Sequence, residues 1–149
     1  MESGDQQDKS SSEAYQLEMQ IGYLLRKAHQ RASAIFQSQF SDVQITPTQF
    51  ATLVKLCDEG ELSQNHLGRL TAMDPATIQG VTRRLIDKGL VKARADDVDR
   101  RRMLLGLTEE GKTLIDSLIG RAKRVTGKTL LPLTEDEQHN VVELLSKLA

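Results

Sequence analysis

Apolar residues along the first third of the chain recur every three or four positions, the spacing of one face of an α-helix. Leu17, Ile21, Leu24, Leu25, Ala28, Ala32, Ile35 and Phe36 form the first such stripe. It predicts a long amphipathic helix from about Tyr15 to Gln39, roughly 37 Å in length. Thr46-Pro47-Thr48-Gln49 then has the form of a helix start, with a hydroxyl cap, proline in the first helical position and a capping-box partner at the third. Phe50, Leu53, Val54 and Cys57 give this second helix its inner face, and Glu59-Gly60-Glu61 ends it. A short third helix begins at Ser63 with Leu67 and Leu70 inward, and the chain turns at Thr71-Ala72-Met73. Asp74-Pro75 caps and starts a fourth helix with Ile78, Val81 and Leu85 inward, which stops at Lys88-Gly89. Two short helices joined by so tight a turn have the form of a helix-turn-helix.

The period then changes from helical to alternating. Val91, Ala93 and Ala95 fall on one side and Lys92 and Arg94 on the other. Beyond the tip Asp96-Asp97-Val98-Asp99, Met103, Leu105 and Leu107 alternate again, interrupted by Leu104. That predicts a β-hairpin with a charged tip. Thr108 opens another long helix, with Leu114, Ile115, Leu118, Ile119, Ala122 and Val125 inward, running to about Leu130. Pro132 stops it, and the capping box from Thr134 to Glu137 starts a last helix carrying Val141, Val142, Leu144, Leu145 and Leu148. The expected fold is therefore mainly α with a small β-hairpin wing: a winged helix-turn-helix at about 46–107, flanked by dimerisation helices at about 15–40 and 108–148. The terminal stripes exceed what so small a core requires, and a two-fold homodimer would bury them. Residues 1–13 are expected to be a disordered polar tail, and 14–149 one domain.

Composition narrows the function. With 38% hydrophobic and 28% charged residues the chain can build a core under a solvated surface. No stretch approaches the roughly 18 apolar residues of a membrane span. The polar start, Met1 to Glu13, has no apolar segment of a secretory signal, and Cys57 is the only cysteine, so a cytoplasmic location with no membrane partner is expected. The net charge of −1 hides an uneven distribution. Between Arg83 and Arg102 stand eight basic and four acidic residues, an island of net +4 in an otherwise acidic chain. Such an island suits a polyanion. Catalytic signatures are missing: no phosphate-binding loop, no dinucleotide glycine motif, no zinc-protease motif and no Cys-x-x-Cys pair. His29, His66 and His139 lie in three separate helices. No enzyme activity, cofactor or metal is expected.

The order of elements, together with Leu62-Ser63-Gln64-Asn65-His66-Leu67-Gly68-Arg69-Leu70, Asp87-Lys88-Gly89-Leu90-Val91, Asp99-Arg100-Arg101-Arg102 and Leu107-Thr108-Glu109-Glu110-Gly111, resembles the MarR transcriptional regulators over about residues 15–148. The resemblance implies a regulator, most simply a repressor, that binds double-stranded DNA as a homodimer at a pseudo-palindromic operator. It also implies that Arg101 enters the minor groove, held by Asp99. On the predicted recognition helix, Thr77 and Gln79 are candidates for base edges, and Arg83 for guanine or phosphate. Thr82 and Arg84 are candidates for phosphate. Ala76 and Gly80 leave room for the groove. Ser63, Gln64, Asn65 and Asp74 complete the candidate helix contacts, and Arg100, Arg101 and Arg102 with Asp99 those of the wing.

Ile21 to His29, Thr46 to Phe50 and Gly68 to Asp74 look most like members controlling degradation of aromatic compounds. Small aromatic carboxylates or their CoA thioesters are then the implied effectors. Gly22, Arg26 and His29 share one side of the first helix: Gly22 leaves space, Arg26 suits a carboxylate, and His29 or Tyr23 a ring substituent. Phe50 completes the candidate ligand set. The competing reading makes Arg26 and His29 supports of the dimer. Some relatives sense oxidants through a first-helix cysteine; this chain has none there, and Cys57 follows an apolar stripe as a small buried hydrophobe. The alternatives to a ligand-responsive repressor are a winged-helix protein-interaction module and a ligand-blind architectural DNA binder.

Overall fold

The computed structural model describes residues 14–149; the expected disordered tail, 1–13, lies outside the described residues. The described residues fold as six α-helices, one 3-10 turn and a small sheet. The helices and strands are α1 (Ile21–Phe40), α2 (Pro47–Glu59), β1 (Leu62–Ser63), α3 (Gln64–Leu70), α4 (Pro75–Asp87), β2 (Val91–Ala95), β3 (Met103–Leu107), α5 (Glu109–Leu130) and α6 (Glu135–Leu148). The helix starts are those the caps announce. Thr46 and Gln49 form a reciprocal capping box at α2, as do Thr134 and Glu137 at α6. Ser63, Asp74 and Thr108 each accept one backbone N–H of the helix they open.

Three expectations change. The first helix is not continuous from Tyr15: Leu17–Met19 is a single 3-10 turn, and Gln20 is extended before α1 begins. Gln20 closes that turn itself, its backbone N–H donating to the Leu17 carbonyl and its side-chain amide to the Gln16 carbonyl. The hairpin also acquires a third strand. β3 pairs antiparallel with β2 from Val91↔Leu107 to Ala95↔Met103, and on its other edge with β1 through Leu62↔Leu105. Of the inward set expected on β2, only Val91 is buried; Ala93 and Ala95 are exposed because the hairpin projects beyond the helices.

The core joins α1 to α5 through the winged unit. Phe36 and Phe40 stack at 4.1 Å between ring centroids, and Phe50 meets both edge-on. Leu53, Leu67, Ile78 and Leu85 lock α2, α3 and α4 together, with Ile115 and Leu118 of α5 in the same cluster. Cys57 is half-buried against that cluster, with the Lys112 ammonium 3.4 Å from its sulfur.

Helices α1 and α5 run antiparallel, and each supplies an arginine to the other's C-terminal end. Arg31 donates to the carbonyls of Lys128 and Thr129, and Arg121 donates to the Gln39 carbonyl and the Asp42 carboxylate. A guanidinium at the terminal carbonyls of a helix complements its dipole. The Arg121 hydrogen bond holds the Asp42 carboxyl below its ordinary pKa.

The outer ends of this scaffold remain uncovered. Ile21, Leu24 and Leu25 of α1, Ile119 of α5 and Val142, Leu144, Leu145 and Leu148 of α6 are all exposed, and α6 buries none of its residues. No helix among the described residues is long and apolar enough to cross a membrane.

Candidate nucleic-acid interface

Helix α4 starts from a firmly built corner. The Asp74 carboxylate accepts the Thr77 backbone N–H at 2.8 Å and the Thr77 hydroxyl at 3.0 Å, and the backbone bond foremost depresses its pKa. Pro75 follows in the first helical position. Ile78, Val81, Thr82 and Leu85 are buried, which turns Pro75, Ala76, Thr77, Gln79, Arg83 and Arg84 outward. The Arg84 side chain folds back towards Gly80, where an added Cβ would lie 3.6 Å from its Nη1.

Thr82 departs from expectation. It is 2% exposed, so it presents no hydroxyl to a phosphate. Its hydroxyl instead lies within hydrogen-bond distance of the Ile78 and Gln79 carbonyls and of Gln64 Oε1, the last at 3.2 Å. A threonine hydroxyl facing the preceding turn satisfies itself in this way and can be buried. Thr82 thereby orients Gln64, a candidate contact on α3, from behind. Ser63 is also buried, and its oxygen accepts the His66 N–H as the cap of α3. Asn65 is exposed.

The wing is braced near its outer end. One residue before the end of β2, Arg94 Nε donates to Glu61 at 2.7 Å and Arg94 Nη1 lies 3.5 Å from Asp97; Glu61 is the main cause of the raised Arg94 pKa. At the tip, the Asp96 N–H donates to the Arg102 carbonyl and the Arg102 N–H to the Asp99 carbonyl. One oxygen of Asp99 accepts the Arg101 backbone N–H at 3.1 Å and lies 3.5 Å from Arg101 Nε. The guanidinium itself remains 95% exposed. Arg100 and Arg102 are exposed beside it.

Between helix and wing lies an open groove of ≈ 520 Å³, with Gln64, Asn65 and Arg69 on one wall, Arg101, Arg102 and Met103 on the other, and Ser63 also contributing. Among the described residues three arginines line it and no carboxylate does. Arg69 and Glu61 were not singled out in the sequence. In the sequence Arg69 stands only within the Leu62–Leu70 segment and Glu61 only in the stop that ends the second helix, neither with a sign of its partner in the wing.

The candidate effector residues are not gathered in this way. Gly22, Arg26 and His29 are exposed on the uncovered part of α1, and Tyr23 is half-buried under a cation–π contact from Lys27. His29 Nε2 lies 3.5 Å from the Ser33 hydroxyl. Phe50 belongs to the aromatic cluster with Phe36 and Phe40. Ten residues of helix separate Arg26 from Phe36, about 15 Å, so Phe50 is removed from the other four within a single chain. Among the described residues no group of three or more His, Cys, Asp or Glu side chains is placed to hold a metal.

Residues 43–102 match the sequence profile of the MarR family. The HTH-type transcriptional repressor NicR of Pseudomonas putida is 42% identical over 134 residues, covering 90% of this chain and 85% of that protein. The structure of BpsR from Bordetella bronchiseptica, whose DNA binding is regulated by 6-hydroxynicotinic acid, superposes with a TM-score of 0.86 at 37% identity, covering 90% of this chain and 96% of BpsR. PcaV from Streptomyces coelicolor, a transcriptional regulator in complex with its natural ligand, gives 0.79 at 30% identity, covering 91% and 95%.

Proposed function

Because the chain belongs to the MarR family of transcriptional regulators, we propose that it is a cytoplasmic homodimeric repressor, bound to a pseudo-palindromic operator and released by a small aromatic acid. The observation that carries the DNA half is the groove in which α3 and the wing confront each other with arginines beside an outward-facing α4. A 13-residue helix with small side chains near its start can enter the roughly 12 Å major groove, while the wing arginines reach the adjacent backbone or minor groove. Ala76, Thr77, Gln79, Gly80, Arg83 and Arg84 are the proposed helix contacts, with Gln64 and Asn65 from α3. Ser63, Asp74 and Thr82 position these residues rather than read the DNA.

The dimer is supported by the exposed apolar faces of α1 and α6, which a second copy would cover. A dimer would set the recognition helices about 34 Å apart for two successive major-groove faces. The effector class is supported by 6-hydroxynicotinic acid in BpsR and by the exposed Arg26 and His29, a cation and a ring nitrogen on the uncovered helix. Release requires the effector to prefer a dimer whose helices are wrongly spaced, and its effect is bounded by that preference.

The test is selection of genomic fragments by the purified protein near physiological salt, followed by rebinding at two salt concentrations with and without 6-hydroxynicotinic acid. Recovery of a few fragments sharing an inverted repeat, bound less tightly at higher salt and released by the acid, is the expected result. Binding that ignores the acid would leave a ligand-blind DNA binder. Uniform or absent recovery would overturn the operator reading in favour of a protein-interaction module.

Gly80 gives a sharper check. A glycine within a helix costs about 0.5–1 kcal/mol relative to alanine, and nothing among the described residues requires it here, since an added Cβ meets only the flexible Arg84 tip. Gly80→Ala is expected to raise the melting temperature slightly while weakening operator binding about tenfold, the cost of one displaced contact of about 1–3 kcal/mol. Unchanged binding in a titration would remove close approach of DNA at this position.

A further inference from the structure

We propose that Lys88 is a positioning residue: it fixes the end of the recognition helix against the α1–α2 junction and so sets the half-site spacing the dimer accepts, an inference that rests on the operator reading above. Lys88 follows α4 directly and marks the end of that helix in the sequence. In the fold its ammonium reaches across to another element, donating to the Gln44 carbonyl at 2.6 Å and to Gln49 Oε1 at 3.2 Å.

Both acceptors are held fast. Gln44 sits at φ 54°, in the left-handed region that a non-glycine residue enters only when its surroundings hold it there. Gln49 is 5% exposed, and the same Oε1 accepts the Thr46 N–H in the α2 capping box. On its other flank the junction is gripped by Arg121 of α5, through the Gln39 carbonyl and Asp42. Two cations thus clasp one short loop, one from the scaffold helix and one from the end of the recognition helix. Phosphate binding by Lys88 would compete with these two bonds.

The geometry makes small angular play costly. A 13-residue helix is about 20 Å long, so a swing of roughly 10° about its buried middle moves each end by about 2 Å. Mirrored by a two-fold axis, the two displacements approach the 3.4 Å step of one base pair. A helix without its Lys88 tether should therefore tolerate half-sites one base pair too near or too far.

The experiment measures binding of the wild type, Lys88→Met and Lys88→Arg to the selected operator and to versions with one base pair inserted or removed between half-sites, at several salt concentrations. The wild type should lose at least tenfold in affinity on either change. Lys88→Met should bind the altered sites within about threefold of the original, and Lys88→Arg, which can donate to the same two oxygens, should restore discrimination. Amide hydrogen exchange of the DNA-free proteins, read over residues 42–46 and 85–90, should rise at least tenfold in Lys88→Met and stay near wild type in Lys88→Arg. If Lys88→Met keeps full discrimination and only lowers the salt slope, Lys88 is a phosphate contact and the proposal falls. Unchanged exchange overturns it on the free protein alone. A wild type indifferent to spacing overturns the dimeric operator reading, and the spacing role with it.

Discussion

Gly111→Ala is expected to cost about 3 kcal/mol or more, lowering the melting temperature by roughly 10 °C. Gly111 lies in the first turn of α5, and an added Cβ would fall 2.1 Å from the Leu90 carbonyl oxygen and 3.3 Å from a Leu107 methyl. The carbonyl has nowhere to go. It accepts the Thr108 N–H at 3.1 Å, while the Leu90 N–H donates to Leu85 at the end of α4. Thr108 in turn donates its hydroxyl to the Gly89 carbonyl at 2.7 Å and accepts the Gly111 N–H at 3.0 Å. The recognition helix, the start of the wing and the scaffold helix meet at this one knot, so a methyl group there must separate all three. Thermal unfolding followed by circular dichroism decides the matter; a melting temperature within 2 °C of wild type would mean that the start of α5 slides freely.

Arg101→Ala is expected to weaken operator binding roughly 100-fold with an unchanged melting temperature. The side chain is 95% exposed and, among the described residues, pairs with Asp99 alone, so its removal leaves the core intact. In a two-fold complex each substitution acts twice, and about 1–3 kcal/mol per wing gives a loss of that order. The affinity lost should be largest where the flanking sequence has a narrow A·T-rich minor groove. Asp99→Ala should show a smaller loss of the same kind, because it frees the arginine without removing it. Titration by fluorescence anisotropy measures both, and an Arg101→Ala protein within threefold of wild type would place the wing away from DNA.

The winged helix-turn-helix was legible because its helices are punctuated chemically. Thr46 with Gln49, Asp74 with Pro75, and Thr134 with Glu137 mark starts that local hydrogen bonds enforce whatever the rest of the chain does. The break at Gln20 was hidden because apolar residues continue on both sides of it, Leu17 before and Ile21 after, and periodicity registers spacing rather than backbone angles. Strand β1 was hidden for a different reason: two residues cannot display an alternation, and Leu62 and Ser63 are strand only because Leu105 and Leu104 lie opposite.

In the site, the wing arginines stand out as a basic run in the sequence, and Asp99 holding Arg101 is what the resemblance implies, a pair of residues only two positions apart. Thr82 was misplaced because a helical threonine can bury its hydroxyl against its own preceding turn. The sequence shows Lys88 as a helix stop and one charge of the basic island, but not as a tether, because its acceptors lie 44 and 39 residues earlier. The candidate effector residues Gly22, Tyr23, Arg26 and His29 share one helix, and a face that none of the described residues covers cannot by itself define an enclosure.

The strand order β1-β3-β2 has a bearing on how the protein is made. The middle strand is the last of the three to leave the ribosome, so while residues 62 to 95 are already outside, neither of the other strands has its partner. The helix-turn-helix segment must wait, its first strand unpaired, until Leu107 clears the exit tunnel. A nascent chain paused or cut short before that point carries every helical contact proposed for the operator but no sheet to brace them. A truncated regulator of this kind should be a poor competitor for DNA and a ready target for proteolysis.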